Sequence, residues 1–389
     1  MNGVTDVQDN MQDNLQDKDL QTAIITMLDR AKVWLWSMQE EGKPKGVLKI
    51  SAAQDSAIWP GMLLPGSYNG LQALHLIGGL DTLTPDERDR LAGWFLQSRQ
   101  TDGTFRIEGM QAEDTFKKPD PLETKTYIDF HVSNYSLGAL EAIDRLEAPV
   151  LDFVMPYLRR EFLEAWLCRR DLRDPWLEGN NIVNLASFLL LKAQTATPDA
   201  RKQIADAMEI LFDWHDRYQE PSTGFWGLGQ AHDATMALHA MAGSMHNFHL
   251  YYECGRTLPY QDRAIDYALS QPPKIVSACI DVDLVDLLVH GHDCLDYRRN
   301  DITLWLRALL PHLLAFQNPD GGFCDERSGI RRQDGWVKGY QEPQGLSNTF
   351  ATWFRLIAIA MIADCLWPQW HPWHFRRMIG IGYRKGIGA

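Results

Sequence analysis

Three aspartates stand at the front of an apolar stretch, in the run Asp281-Val282-Asp283-Leu284-Val285-Asp286. On a helix, Asp283 and Asp286 fall at i,i+3 and share a face. Neighbouring carboxyls cannot all ionise easily, so one retains its proton. In a dry pocket such a carboxylic acid can protonate an alkene. Asp283 is the expected acid, with Asp281 and Asp286 as its supports. Rings beside it would stabilise a carbocation by cation–π contact, and Trp226 and Trp336 are the candidate walls. The plain alternative is structural: Asp281 caps the helix and the other two favour its dipole.

A second set of residues suits sugar chemistry. Asn181, beside Asn180 and after Trp176, would neutralise a uronate carboxylate. His131, Tyr135, His246 or Tyr251 would move the α-proton, and Arg256 belongs to the same set. His239, His246 and His249 crowd one segment, with His239 and His246 at i,i+7 and His249 at i,i+3 from His246. This set implies a carbohydrate-active lyase, epimerase or hydrolase. A third possibility is a non-catalytic scaffold, with residues 109–124 and 325–344 as recognition loops.

These side chains need helices to position them. Apolar residues recur at helical spacing in about a dozen segments, and no segment alternates with period two for long. Helices are expected to start near Leu20, at Thr84-Pro85-Asp86-Glu87, near Asn134 and near Asn184, among others. Residues 1–19 are polar and lack aromatics, and read as a disordered tail before a single domain over residues 20–389.

One phrase recurs along the chain. An apolar pair leads to Gln, then to Gly-x-aromatic: Gln100 with Gly103 and Phe105, Gln219 with Gly224 and Trp226, Gln317 with Gly321 and Phe323. A fainter copy follows Gln39. Gln can satisfy orphan carbonyls at a helix end, and Gly takes the left-handed turn that stops the helix. The unit is a clasp between helices. Helical hairpins that cannot bury their own apolar faces stack on their neighbours, and neither end looks like a polar cap. The expected fold is all-α, a ring of helix pairs around a central cavity.

This repeat resembles the glutamine–aromatic repeat of the terpenoid cyclase and protein prenyltransferase superfamily, and the resemblance implies an (α/α)6-type toroid. The aspartate run is similar to the Asp-x-Asp-Asp acid motif of class II terpenoid cyclases, which also stands ahead of a repeat unit. The resemblance carries over Asp281 and Asp283, the latter as proton donor. It departs at Leu284, where Asp286 would substitute. It implies acid-initiated cyclisation or isomerisation of an isoprenoid-type substrate. The prenyltransferases hold zinc with Asp, Cys and His. Here His290-Gly291-His292-Asp293-Cys294 and Cys279 offer those types in a different order and spacing, so no metal or cofactor is expected.

Composition sets outer bounds. Of 389 residues, 45% are hydrophobic, with 14 Trp, 12 Tyr and 15 Phe, enough for a large core or a ring-lined cavity. Lys+Arg number 38 against 51 Asp+Glu, and a net charge of -13 repels a nucleic-acid backbone. Six scattered cysteines with no CxxC pair suit reduced thiols of a cytoplasmic protein. The partner expected is a small-molecule or lipid-like substrate. Trp370 and Trp373, with Arg376, Arg377, Arg384 and Lys385, would allow weak peripheral contact with a membrane.

Overall fold

Twelve α-helices form among the described residues of the computed structural model, which are 3–109, 121–327, 330–332 and 339–375. They are α1 (Gly3–Ser37), α2 (Leu63–Leu76), α3 (Pro85–Leu96), α4 (Pro121–Ala142), α5 (Arg160–Cys168) and α6 (Pro175–Thr195). The second half holds α7 (Pro198–Tyr218), α8 (Ala234–Glu253), α9 (Gln261–Ser270), α10 (Ala278–Cys294), α11 (Arg299–Ala315) and α12 (Thr349–Leu366). A short antiparallel pair, β1 (Ile330–Arg332) and β2 (Gln341–Pro343), sits between α11 and α12, with Ile330 opposite Pro343. The fold is all-α.

Two kinds of helix alternate. In α7, Ile204, Ala207, Met208 and Leu211 are buried at i, i+3, i+4 and i+7, an apolar stripe on an otherwise polar helix. In α2, α10 and α12, in α4 from Tyr127, in α8 from Ala240 and in the first two-thirds of α6, nearly every residue is buried, so these stretches have neighbours on all sides. Their packing order runs α2 on α4, α4 on α6, α6 on α8, α8 on α10, α10 on α12, and α12 back on α2. The striped helices attach outside this series: α3 on α4, α7 on α6, α9 on α10, and α11 on both α10 and α12. Among the described residues α12 alone is long and apolar enough to cross a membrane, yet 83% of it is buried by its neighbours. Its apolarity is that of a core helix.

The clasp recurs four times with one geometry. Gly46, Gly103, Gly224 and Gly321 all have positive φ, where a side chain is strained. Two residues after each glycine, a main-chain N–H donates to a hydroxyl on a fully packed helix. Leu48 donates to Ser67 of α2 at 2.9 Å, Phe105 to Ser133 of α4 at 2.8 Å, Trp226 to Ser244 of α8 at 2.8 Å, and Phe323 to Thr352 of α12 at 2.9 Å. The glutamine amides tie down main-chain carbonyls: Gln219 reaches Gly224 and Pro259, and Gln317 reaches Gly321 and Met27. Each unit therefore fastens the end of one helix to the flank of another.

Three segments depart from the sequence expectation. Residues 3–19, expected as a loose tail, are the first turns of α1; no Pro interrupts them, and Asp17 pairs with Arg307 of α11 at 2.5 Å. Helix α4 begins at Pro121 rather than near Asn134, and α6 at Pro175 rather than near Asn184. Both start with Pro in the first turn, where its missing N–H is harmless. The early turns of α6 contain Gly179, Asn180 and Asn181, which propensity disfavours. Tertiary contacts override that preference. Glu178 forms an ion pair with Arg170 at 2.7 Å, Asn181 donates to Glu178 at 3.0 Å, and Gly179 packs against the backbone of Gly243.

Candidate functional site

A cavity of about 370 Å³ opens among the fully packed helices, and each of them supplies part of its wall. That volume lies in the usual range for small-molecule sites. Helix α4 contributes Tyr127, His131 and Tyr135, at i, i+4 and i+8 and so on one face. Asn69 comes from α2, Trp176 and Asn180 from α6, and His246 from α8. Asp174 precedes α6, Cys279 lies in the first turn of α10, and Phe350 and Phe354 come from α12 at i,i+4.

The approach of α6 to α8 sets the position of His246. A Cβ on Gly243 would lie 2.1 Å from the carbonyl oxygen of Pro175, so only glycine lets the helices come this close. Asn247 then staples them, its amide donating to the carbonyls of Gly179 at 3.0 Å and Gly243 at 2.9 Å. The Asn247 oxygen meets His215 Nε2 of α7 at 3.1 Å. His246, next to Asn247, and Asn180, next to Gly179, are held at the cavity by this crossing.

His131 sits edge-on to Tyr135, with ring centroids 4.5 Å apart, and 5.5 Å from Tyr127. Burial, followed by the neighbouring His246, lowers its pKa to about 3. At neutral pH it is an uncharged imidazole with one donor and one acceptor nitrogen. Burial also raises the phenols of Tyr127 and Tyr135, which stay protonated. The Asn69 side-chain oxygen is buried without a hydrogen-bond partner among the described residues. The wall thus combines aromatic faces with neutral donors and acceptors and the carboxyl of Asp174.

Asp281, Asp283 and Asp286 of α10 are all buried, and none is among the cavity-lining residues. Asp281 is paired with the fully buried Arg355 of α12 and accepts from the Val276 N–H at 2.9 Å. Burial raises Asp281 even so, against the pull of Arg355. Asp286 accepts from His249 of α8 at 2.7 Å and lies 3.2 Å from His290 Nδ1. Burial alone would raise it, but the two imidazoles hold it below the usual carboxylate range. Asp283 is completely buried, and neither of its oxygens has a hydrogen-bond partner among the described residues. Burial, then the charges of Asp286 and Asp281, push it well above the usual range, which favours its protonated form.

The structure brings His131, Tyr135, Trp176, Asn180 and His246 together at the cavity and places Trp226, Tyr251, Asn181 and Arg256 elsewhere. Trp226 is buried against His215 and Phe248, and its indole donates to the His215 carbonyl at 2.8 Å. The Tyr251 hydroxyl donates to Asp216 at 2.8 Å, toward α7. Asn181 is engaged with Glu178, and its neighbour Asn180 lines the cavity instead. Arg256 pairs with Glu209, away from the wall. Trp336 lies outside the described residues. Trp373 is buried and Trp370 half-buried, while Arg376, Arg377, Arg384 and Lys385 lie outside the described residues. Asn69, Tyr127 and Asp174 were not anticipated; the i, i+4, i+8 spacing of Tyr127, His131 and Tyr135 is the signal that could have found the first of the tyrosines. No protein-family model matches the chain, and no curated protein matches it.

Proposed function

We propose that α2, α4, α6, α8, α10 and α12 are the inner ring of an (α/α)6-type toroid, and that the protein is an enzyme acting in its central cavity. The closed packing order of those helices supports the architecture. The substrate we infer is a small polyhydroxylated, sugar-like molecule, and the reaction is proton transfer at carbon next to a carbonyl, as in an epimerase, isomerase or lyase. One observation carries this reading: two histidines, two asparagines and the Trp176 ring converge on one small cavity.

The roles follow from charge state. His131, kept neutral, donates its N–H to the substrate carbonyl and stabilises the developing enolate, as a neutral imidazole of lowered pKa can. His246 takes the proton from carbon. Asn69 and Asn180 orient hydroxyl or carboxylate oxygens, and Trp176 stacks on the apolar face of the sugar. No group here needs to change its burial for the step to proceed.

The test is solvent deuterium uptake at carbon, followed by NMR across a panel of hexoses, aminosugars and uronic acids. Wild type should label at least one of them. His246→Gln should abolish the labelling while Asp283→Asn leaves it in place. A panel that stays unlabelled with folded wild type overturns the sugar reading.

A second reading is favoured by Asp283 alone: a protonated carboxyl with no hydrogen-bond partner is what acid-initiated isoprenoid cyclisation requires. Under it, Asp283→Asn abolishes conversion of an isoprenoid substrate, and His246→Gln does not. A cytoplasmic location is proposed on the six cysteines, all of them free thiols.

A further inference from the structure

Between α8 and α10 lies a cluster that the cavity does not use. His249 Nε2, a carboxylate oxygen of Asp286 and a ring nitrogen of His290 lie within 4.8 Å of one another, and all three residues are buried. Asp286 and His290 are at i,i+4 on α10, so one helix face presents two of the groups and α8 presents the third. The Tyr252 ring stacks on His290 at 5.1 Å and nearly parallel, and its hydroxyl accepts from Gln261 of α9 at 2.8 Å. The cluster is therefore walled by α8, α9 and α10, and none of its members lines the central cavity.

We propose that His249, Asp286 and His290 form a binding site for a divalent transition-metal ion of the zinc class. The donor set decides the class. Two imidazoles and one carboxylate suit Zn²⁺ or Fe²⁺, whereas Mg²⁺ and Ca²⁺ take oxygen ligands. Spacing agrees. Ligand atoms on a tetrahedral ion with bonds of about 2.0–2.2 Å stand roughly 3.3–3.5 Å apart. The Asp286 oxygen is 2.7 Å from His249 Nε2, so a shift of about 0.6–0.8 Å admits the ion there, while His290 Nδ1 faces the Asp286 main-chain carbonyl at 2.9 Å, which orients the ring and leaves Nε2 as its ligand atom.

A second observation points the same way. The other carboxylate oxygen of Asp286 and Nε2 of His290 are buried with no hydrogen-bond partner among the described residues. Such groups are costly to leave unpaired in a finished core. An ion bound to Asp286 engages its carboxylate fully and takes over the attraction that holds the two imidazoles. Binding displaces the proton shared by His249 Nε2 and Asp286, to Nδ1 of the ring or to solvent. Three protein ligands leave a further position for water or a small anion.

The experiment uses the full-length protein dialysed against a chelator. Co²⁺ titration should give visible d–d absorption saturating at one ion per chain, and Zn²⁺ should displace it and raise the melting temperature. Asp286→Asn and His290→Gln should each weaken binding at least about 100-fold, and His292→Gln, further along α10, should leave it unchanged. If Asp286→Asn does not fold, His249→Gln on the other helix carries the same expectation. Folded wild type that binds no Co²⁺, a sulfur-to-cobalt charge-transfer band, or undiminished binding by Asp286→Asn and His249→Gln overturns the proposal.

Discussion

Gly243 of α8 rests on the carbonyl oxygen of Pro175 at the start of α6, with room for a hydrogen but none for a methyl group. Gly179 repeats the contact from the other side, where a Cβ would lie 2.2 Å from the Gly243 oxygen. The obstructing atoms are backbone, so they cannot move aside as a side-chain tip would. Gly243→Ala is expected to destabilise the protein by about 1–3 kcal/mol, outweighing the roughly 1 kcal/mol that Ala gains in a helix. Urea unfolding measures it. A change below about 0.5 kcal/mol, within the range of a neutral surface substitution, would show that the crossing is not tight. The same variant should lower activity, because His246 and Asn180 are positioned by that crossing.

Asp281 and Arg355 form a buried charge pair between α10 and α12, with Arg355 also donating to the Asp325 carbonyl at 3.0 Å. Removing one partner leaves the other charge buried and alone. Arg355→Met should cost about 3–5 kcal/mol. Asp281→Asn combined with Arg355→Met should cost clearly less than the sum of the two single changes. A double-mutant cycle by chemical denaturation reports the coupling, and additive effects would contradict the pairing.

His131 and Asp283 tilt the pH dependence of stability in opposite directions. His131 has its folded pKa lowered to about 3, below the value of about 6.5 in an unfolded chain. Between those values the unfolded state binds the extra proton, so its contribution is complete above about 6.5 and is lost as pH falls. Asp283 has the opposite sign. Its folded pKa is raised, so its contribution is complete below about 3.9 and is lost as pH rises toward the folded value. His131→Gln should remove up to about 1.4 kcal/mol per pH unit of upward slope below about pH 6.5. Asp283→Asn should remove the opposing downward slope and make the protein more stable at pH 8. Unfolding free energies across pH 5 to 8 test both, and an Asp283→Asn variant less stable at pH 8 would contradict its protonation.

The all-α fold was legible because helical periodicity and the Gly-x-aromatic clasps are local signals. The hydroxyl partners of the clasps were not, since Ser67, Ser133, Ser244 and Thr352 look like ordinary polar residues until the chain brings each beneath its donor. At the cavity, His131 and His246 could be picked out by residue type. Asn69 and Tyr127 could not, because what selects them is which face of a fully buried helix meets the void. Propensity misled at the start of α6, where Gly179 and Asn181 look like loop residues and in fact make the helix–helix contact. Arg355 interrupts the otherwise apolar helix α12. It is buried at the heart of the molecule because a carboxylate from far along the chain awaits it.

The last clasp joins regions far apart along the chain. Gln317 grips the Met27 carbonyl, Arg30 donates to the carbonyl of Asn318, and the Thr349 N–H reaches Ile50. A nascent chain therefore carries its early helices with one flank uncovered until α12 has cleared the ribosome. Such distant closure is slow and leaves apolar surface exposed meanwhile. Chaperone demand during synthesis, and sensitivity to truncation shortly before α12, are built into this seam.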